Sequence, residues 1–360
     1  MKACLQYLHT LLIGTLLLSV ASGCDVHEFP QVPEPLPENA TFNLQLRFAT
    51  DMPQWEYPIT ESRTFVPSRV VQEEGEMRYI IRVYPGSSSS RTPSSRGEAV
   101  REFEFTRDVS EGYNADFQFD VPVGDYTIMA WADLAENIGD AHLYDANEFS
   151  QIKLQGGEHR GNNDYRDGFR GMLDVSFSTA DVMANATKTV VVDMARPMAK
   201  FEFITTDIDE FIGKEIEAAL SRGEITPEAV ENAPSKAFDM SKYKIMFYYV
   251  GFMPNTFNMF TDKPSNSVTG ISFPGRFMRL EGNEASLGFD YVFVNGTEVK
   301  VAVQIGIFDE AGNQLSMTAP IDVPLRRSQH TLIKGRFMMQ NASGGVGVDP
   351  SFSGDHNIFI

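Results

Sequence analysis

The chain has 360 residues and a marked acidic surplus, with 30 Lys and Arg against 49 Asp and Glu and a net charge of −19. Nucleic-acid-binding proteins need a basic footprint for the phosphates, and this composition excludes that class. The length is enough for two domains of ordinary size. The two cysteines are Cys4 and Cys24. Because Cys4 falls in a predicted leader, we expect no internal disulfide and no thiol nucleophile in the mature chain.

The first 23 residues have the layout of a secretory signal peptide. Lys2 precedes an apolar run over residues 11–18, and mostly small residues occupy 19–23. Cys24 follows Ala-Ser-Gly, a sequence that resembles the lipobox of bacterial lipoproteins. That resemblance implies that Cys24 carries acyl chains such as palmitate and becomes the mature N-terminus. The alternative is an ordinary secreted protein in which Cys24 is incidental.

Acylation of Cys24 would attach the protein to a membrane. Each buried methylene contributes roughly 0.8 kcal/mol, so one chain holds marginally while two or more hold stably. After Gly23 no apolar run is long enough to cross a bilayer, and the lipid is therefore the predicted anchor. Residues 24–40 contain four prolines and predict an extended, semi-rigid tether, with a disordered leader as the alternative.

The hydrophobic period changes to two residues at Thr41. Phe42, Leu44, Leu46 and Phe48 alternate with polar residues and predict a first, half-buried strand. The same period predicts further strands at 79–83, 103–105, 117–121, 127–131 and 190–194. Together they predict an N-terminal β-sandwich domain over residues 41–195.

Arg196-Pro197 marks a joint, and a second strand series follows it. Strands are predicted at 199–203, 243–249, 287–293, 298–308, 314–318 and 330–337. Residues 209–222 break this pattern with an apolar stripe at helical spacing, closed by Gly223, and Pro227 begins a second short helix. These features predict a C-terminal domain over 196–343 with a helical insert at about 207–233, followed by a tail at 344–360.

Many short strands separated by turns predict an all-β fold with a small helical insert. The chain length calls for two tandem antiparallel β-sandwich domains.

No catalytic constellation stands out, so we expect no enzyme, no cofactor and no metal. The common nucleophile, zinc and phosphate-loop motifs are missing from the sequence, and its histidines lack metal-ligand spacing. The richest polar patch surrounds His159, Asp164, Arg166 and Arg170. It could bind a sugar or an anion, although a solvated long loop is the favoured interpretation.

Two further features have a functional and a structural interpretation. Asp309, Glu310 and Asn313 could suggest calcium, but their spacing favours a hairpin turn. The aromatic residues near Phe252 could form a carbohydrate platform, or they could belong to the core. They are Tyr248, Phe252, Phe257 and Phe260.

Three segments together resemble a known family. They are the lipobox with its Pro-rich tether, the joint Val191-Val-Asp-Met-Ala-Arg-Pro-Met-Ala-Lys-Phe201 and the tail sequence Gly344-Gly-Val-Gly-Val-Asp349. They resemble the fimbrillin superfamily of lipoprotein-derived (type V) fimbriae, and within it the fimbrial anchor and assembly proteins and related surface lipoproteins. The resemblance implies two transthyretin-like β-sandwiches, a lipid-anchored position on the outer membrane at the cell surface, and fimbrial or pilin subunits as partners.

The resemblance also implies assembly by β-strand addition, in which an extended segment of one subunit completes the sheet of the next. Polymerising subunits lose their first strand to a protease that cuts after Arg, whereas an anchor keeps it. Arg47 lies inside the predicted first strand, which favours retention of Phe42, Leu44, Leu46 and Phe48; Arg63 and Arg69 leave cleavage open. The candidate donor is the tail, with apolar residues Val346, Val348, Ile358 and Ile360, unless this tail packs on its own domain.

Three functions follow from these interpretations. The first is a structural anchor or assembly subunit of a fimbria-like polymer. The second is a surface adhesin or glycan-binding lipoprotein built on the same sandwiches. The third is a hydrolase with an unrecognised site, for which His159 and Asp164 would be the first residues to test.

Overall fold

The computed structural model describes residues 39–57, 72–88, 98–156, 159–183, 187–232 and 238–340. The first part of the chain contains these elements: β1 (Asn39–Phe48), β2 (Gln54–Tyr57), β3 (Glu76–Pro85), β4 (Arg101–Asp108), β5 (Ala115–Pro122), β6 (Gly124–Ala135), β7 (Tyr144–Asp145), β8 (Ile152–Leu154), β9 (Gly168–Phe177), α1 (Thr179–Met183) and β10 (Lys188–Met194).

The second part contains the two longer helices and the remaining strands. They are β11 (Met198–Thr205), α2 (Ile208–Arg222), α3 (Pro227–Asn232), β12 (Lys244–Tyr249), β13 (Met253–Asn258), β14 (Lys263–Val268), β15 (Ser272–Pro274), β16 (Met278–Arg279), β17 (Ala285–Phe293), β18 (Glu298–Phe308), β19 (Gln314–Met317), β20 (Ile321–Arg326) and β21 (His330–Gly335). The predicted all-β class with a helical insert is confirmed.

The N-terminal sandwich packs a three-stranded sheet, in the order β10-β1-β5, against a four-stranded sheet, in the order β4-β3-β6-β9. The alternation that predicted β1 has its expected cause, because every second residue of that strand points into the space between the sheets. Phe42, Leu44, Tyr79, Ile128 and Val192 are all fully buried there. Their removal from water is the main stabilising contribution to this half of the molecule.

The C-terminal sandwich pairs a sheet in the order β16-β17-β11-β21-β2 with a second sheet in the order β15-β12-β18-β19, and β20 also pairs with β18. Phe201, Phe203, Phe247, Val303 and Ile305 are fully buried between them. The clean alternation in residues 299–307 thus corresponds to one face of β18 packing on this core.

Three pairings are parallel, which the prediction of antiparallel sandwiches did not include. They are β1 with β10, β11 with β21, and β2 with β21. Each joins strands that lie far apart in sequence, whereas hairpin connections give only antiparallel pairs.

One strand crosses between the sandwiches. β2 follows β1 after five residues and falls within the range predicted for the N-terminal domain, yet it pairs with β21 in the C-terminal sandwich. The main-chain N–H of His330 donates to the carbonyl of Pro53 at 2.9 Å, where this pairing begins. The predicted boundary between residues 195 and 196 does not take this crossing into account.

A small fifth sheet, in the order β14-β13-β8-β7, combines strands from both parts of the chain. It covers a third apolar cluster that includes Trp131, Tyr144, Phe257, Met198 and Phe293. Because its members come from both sandwiches, this cluster joins them as a continuous apolar contact.

The helical insert covers one end of the C-terminal sandwich. Phe211 of α2 is buried in its core, and Gly223 ends the helix in the left-handed conformation with φ 71°. Among the described residues no helix has the length and apolarity needed to cross a membrane.

Candidate functional site

β1 is the central strand of its sheet. It pairs with β10 from Phe42 opposite Lys188 to Phe48 opposite Met194, and with β5 from Asn39 opposite Pro122 to Leu46 opposite Ala115. The candidate first-strand residues Phe42, Leu44 and Leu46 are no more than 1% exposed. Phe48 is half-buried against Tyr79 and Phe169.

Arg47 is exposed on β1 opposite Asp193, within the paired part of the strand. Cleavage after Arg47 would require this part of the ladder to open, since a protease binds its substrate as an accessible extended segment. That β1 is retained in the mature protein stays a prediction. The other sequence-based candidates lie outside the described residues: Cys24, Arg63, Arg69, Val346, Val348, Ile358 and Ile360.

The polar patch around His159 is built differently from the solvated loop favoured by the sequence. Arg166 and Asp167 are only 3% and 2% exposed, and the His159 side chain is 4% exposed. A short 3-10 helix at Asp164–Arg166 forms because the side chain of Asn163 accepts a hydrogen bond from the Tyr165 N–H at 2.9 Å. It directs Arg166 into the interface between the sandwiches, so the solvated-loop interpretation is wrong for these residues.

Asp290 of β17 is the centre of this buried cluster, in which it contacts His159, Arg166 and Tyr249. Its carboxylate accepts hydrogen bonds from the Tyr249 hydroxyl at 2.6 Å, from the main-chain N–H of Tyr291 at 2.8 Å and from Arg166. His159 Nε2 lies 2.5 Å from Asp290 Oδ2. The second guanidinium nitrogen of Arg166 donates to the Tyr291 carbonyl at 3.0 Å. We call Asp290, Arg166, His159 and Tyr249 the Asp290 cluster.

Electrostatics keep Asp290 charged despite its burial. Burial raises the pKa of this carboxyl, but Arg166, His159 and the Tyr249 hydrogen bond together hold it below its usual range. Burial and the Asp290 charge raise the pKa of Tyr249 well above its ordinary value, so its hydroxyl remains a donor. The carboxylate therefore has four partners: Arg166, His159, the Tyr249 hydroxyl and a main-chain N–H of its own strand.

A second buried ion pair lies at the joint between the sandwiches. Arg196 is fully buried, and its Nε lies 2.7 Å and 2.9 Å from the two carboxylate oxygens of Asp167. Its Nη1 donates to the carbonyls of Ala49, Thr50 and Asp51 at 3.1–3.3 Å. Burial raises the pKa of Asp167 although Arg196 opposes this effect. Arg196, where the sequence predicted a joint, thus also binds the segment that connects β1 to β2.

A third contact joins strand β9 to two turns of the C-terminal half. Asp262 Oδ2 accepts from Arg170 at 2.6 Å and from Arg327 at 2.8 Å. Sequence reasoning singled out Arg170 but missed both partners, because neither lies near it in sequence.

These clusters connect segments of the two sandwiches. Their charged groups pair with each other, and Arg166, Arg196 and Arg327 also donate to main-chain carbonyls. Within the described ranges, no group of three or more His, Cys, Asp and Glu is placed to hold a metal ion. A buried, hydrogen-bonded ion pair selects one arrangement of the segments that carry it, since any other arrangement leaves a charge unpaired. The Asp290 cluster and Arg196 therefore fix how the two sandwiches meet.

An open polar cleft of about 600 Å³ lies over the Asp290 cluster. Its lining includes His159, the exposed residues Arg160 and Arg276, and the acidic residues Glu136 and Asp164, together with Asn163 and Tyr165. Of the residues that the sequence suggested for sugar or anion binding, His159 and Asp164 line this cleft, whereas Arg166 is buried beneath it and Arg170 pairs with Asp262.

The proposed aromatic platform does not form. Phe257 is fully buried and stacks on Phe293 with ring centroids 5.3 Å apart. Phe260 packs against Tyr84 and Tyr248 is half-buried, while Phe252 is 74% exposed at a turn. The core interpretation is correct for Phe257, and the four side chains do not share one surface.

The turn that could have suggested calcium is a hairpin connection between β18 and β19. Asp309 accepts from the main-chain and side-chain nitrogens of Asn313 at 2.7 Å and 2.8 Å. Its carboxylate is used to close the turn, as the favoured interpretation predicted.

Several solved structures are similar to this chain at low identity. A candidate adhesin from Bacteroides ovatus is 8% identical, with 82% of this chain and 89% of that chain covered and a TM-score of 0.41. A candidate adhesin from Bacteroides thetaiotaomicron is 12% identical, with 80% and 81% covered and a TM-score of 0.40. The fimbrial anchor protein Mfa2 from Porphyromonas gingivalis is 13% identical, with 78% and 82% covered and a TM-score of 0.36. TM-scores of this size do not assign a function to the chain.

No curated protein matches the chain. A family model does match, over residues 37–359, which include every residue that the structure describes. The chain therefore belongs to that family, a family of unknown function (DUF6562).

Proposed function

We propose that this protein is a cell-surface lipoprotein that acts as a structural anchor or assembly subunit of a fimbria-like polymer through β-strand addition. The observation that carries the proposal is the position of β1, which pairs along both of its edges and fills the core with Phe42, Leu44 and Leu46. The motif resemblance of the lipobox, joint and tail points to the same class.

A subunit that accepts a strand needs a vacant groove with unpaired main-chain groups. Here β1 occupies the groove between β5 and β10 and satisfies those groups. While β1 stays in place, this sheet is complete and cannot accept a strand at that position. The remaining way to join a polymer by strand addition is to donate one, for which the tail at 344–360 is the candidate.

The same strand, β1, also connects the folded body to the proposed lipid anchor. β1 begins at Asn39, directly after the Pro-rich segment that starts at Cys24. A lipid on Cys24 would therefore be joined by a short tether to the central strand of a sheet. The buried charges of the Asp290 cluster and Arg196 also fix the orientation of the two sandwiches relative to each other. A rigid body of this kind suits a structural subunit.

The anchor is tested by labelling and by mass. Growth with labelled palmitate should mark the protein but not its Cys24→Ser variant. The intact mass of the membrane-extracted protein should equal a chain that starts at Cys24, carries acyl groups and is uncut after Arg47, Arg63 and Arg69. An unlabelled wild-type protein would eliminate the lipid anchor, and a mass that begins after one of these arginines would eliminate retention of β1.

The donor role is tested through the tail. Deleting residues 344–360 should abolish co-purification with a pilin encoded by a neighbouring gene. Val346→Asp should weaken the complex because its side chain must enter an apolar pocket, whereas Ser353→Asp adds the same charge at a polar position and serves as the control. An unchanged complex after deletion would remove the donor-tail mechanism while leaving the fold intact.

The second candidate function is a glycan-binding surface lipoprotein or adhesin, and the polar cleft favours it. Arg160 and Arg276 expose guanidinium groups on a protein of net charge −19, together with Asn163 and Tyr165. The two guanidinium groups suit the carboxylate of an acidic sugar. Of the two acidic residues in the lining, Asp164 is already paired with Lys200 at 2.7 Å, and Glu136 adds one negative charge. Binding to an array of acidic glycans that disappears in Arg160→Ala and Arg276→Ala would support this function. Equal binding by wild type and both variants would exclude this cleft.

A further inference from the structure

The second strand and the last strand of the described body run parallel to each other. β2 lies close to the N-terminal end of the chain and β21 close to the C-terminal end, and they pair in parallel from Gln54 opposite His330 to Tyr57 opposite Ile333. On its other edge β21 pairs in parallel with β11, from Lys200 opposite His330 to Thr205 opposite Gly335. The last strand thus lies between two parallel neighbours.

From this topology we infer that the sheet β11-β21-β2 is a shear clamp, built to bear tension between the two ends of the chain. The inference deepens the proposed function, since a lipid at Cys24 and a partner on the tail would supply that tension. Resistance to this tension is a property of the described strands, so it can be measured without the lipid and without the partner.

The direction of the load decides how strongly a strand pair resists it. When two strands are pulled apart from the same end, their hydrogen bonds break one after another. Tension between the chain ends instead pulls β2 backwards from its first residue and β21 forwards from its last. Because the strands are parallel, these pulls slide one strand along the other, and the bonds of the pair are loaded together.

The exit of β21 is fastened by buried side chains. Asp207 accepts from the main-chain N–H groups of Met338 and Met339 at 3.3 Å and 3.0 Å, and the Thr205 hydroxyl accepts from that of Phe337 at 3.3 Å. The Ser316 hydroxyl lies 3.1 Å and 2.6 Å from the carbonyls of Phe337 and Gln340. Phe337 and Met338 are themselves 2% and 1% exposed. These contacts resist peeling of the chain at the C-terminal end of β21.

The entry of the chain is fastened as well. The Ala49 N–H donates to the Met194 carbonyl at 2.9 Å, extending the parallel pairing of β1 with β10. Arg196 binds the next carbonyls, up to that of Asp51, immediately before β2. Load that enters through β1 is shared with β10 and Arg196 before it reaches β2.

Single-molecule force spectroscopy can apply the two directions to the same bonds. In the full chain with Cys4→Ser and Cys24→Ser, one handle is attached to Asp51→Cys, just before β2. The second is attached either to a cysteine added after Ile360 or to Ser328→Cys, just before β21. The first pair of handles shears β2 against β21, whereas the second pair pulls both strands from their adjacent first residues. Circular dichroism melting of each variant confirms that the handles leave the fold intact.

We expect the shearing geometry to rupture at a force at least about twice that of the unzipping geometry, because several ladder bonds must break at once. Thr205→Val, which removes part of the exit fastening, should lower the rupture force in the shearing geometry only. Equal rupture forces in the two geometries would overturn the inference. An unlabelled Cys24 would instead remove the proposed anchor and leave this difference in force unchanged, so the two failures are distinguishable.

Discussion

Asn162 pairs with the main chain of Phe289 as if it were a residue of a neighbouring strand. Its N–H donates to the Phe289 carbonyl at 2.9 Å, and its side-chain oxygen accepts from the Phe289 N–H at 2.8 Å. Its side-chain nitrogen also donates to the Pro274 carbonyl at 2.7 Å. Asn162 has φ 56°, a left-handed conformation that Asn adopts more readily than most residues. One side chain from the first half of the sequence thus completes two segments of the C-terminal sandwich.

Asn162→Ala should lower the free energy of unfolding by about 1–3 kcal/mol, since it leaves the Phe289 N–H without its acceptor. Asn162→Asp keeps the acceptor for Phe289 but places a carboxylate oxygen, instead of a donor, against the Pro274 carbonyl, so it should lose stability as well. Urea unfolding followed by tryptophan fluorescence measures both values. An Asn162→Ala variant as stable as the wild type would contradict the proposed role of this side chain.

Gly161→Ala should destabilise the protein because its Cβ would lie 2.1 Å from a ring carbon of Phe273. Phe273 is buried and stacks on Phe247 with centroids 4.9 Å apart, so the ring has little room to move. We expect a loss of about 1–3 kcal/mol in the free energy of unfolding.

The same substitution at Gly213 provides a matched control for Gly161. Apart from its neighbours and the backbone of its own helix, no atom lies within 4 Å of the Cβ that Ala would add at this exposed position of α2. Because Ala favours helix over Gly, Gly213→Ala should raise stability by about 0.5–1 kcal/mol. Thermal melts of the two variants should shift in opposite directions, and a shift in the same direction would show that the close approach at Gly161 is not limiting.

Arg166→Met should be among the more damaging single substitutions, at about 3–5 kcal/mol, since it leaves the buried Asp290 carboxylate without its cation. Asp290→Asn alone should also destabilise, because it leaves the Arg166 guanidinium buried and unpaired. The double variant should lose less than the sum of the two, because neither charge then remains. A double-mutant cycle from urea unfolding measures this coupling, and additive losses would mean that the pair does not act as a unit.

His330 should make the protein less stable as the pH falls below about 6.5. Burial holds the pKa of this imidazole below its ordinary value of 6.5, although Glu202 lies 3.2 Å away and opposes this effect. Lys200 acts in the same direction as burial, and Asp164 acts with Glu202. As the pH falls below about 6.5, His330 therefore becomes protonated in the unfolded chain first, and in the folded protein only near its lower folded pKa. Between these two values protonation favours the unfolded state.

In that window the free energy of unfolding should fall by at most about 1.4 kcal/mol per pH unit because of His330. His330→Gln should reduce this slope, and the difference between the two slopes isolates His330, because His142 and His159 are present in both proteins. Urea unfolding at several pH values between 7 and 5 measures it. Identical slopes would show that His330 does not contribute.

Sequence patterns predicted the local elements well because those elements depend on neighbouring residues. The alternation of Leu44 and Leu46 in β1 reflects a single buried face, and the stop at Gly223 reflects a left-handed residue at the end of α2. The same holds for the Asp309 turn, whose hydrogen bonds close within five residues.

The parts that sequence reasoning missed depend on partners that lie far away along the chain. In the sequence Arg166 is one of several charged residues in a polar stretch. Its partner Asp290 lies 124 residues away along the chain, and only the fold brings the two together. Arg196 was noticed for its position at a joint, but its burial depends on the carbonyls of residues 49–51. The apolar residues on both sides of Arg196, Met194-Ala195 and Pro197-Met198, are the sequence signal for its burial.

The path of β2 has a consequence for how this protein can be divided. A fragment that starts at Arg196 would lack the strand that covers one edge of β21, and that fragment would present bare amide and carbonyl groups there. The complementary fragment would keep β2 with nothing to pair it. Neither half contains all the strands of its own sheets. Fragments made by truncation or recombination at the joint should therefore aggregate instead of folding as two independent domains.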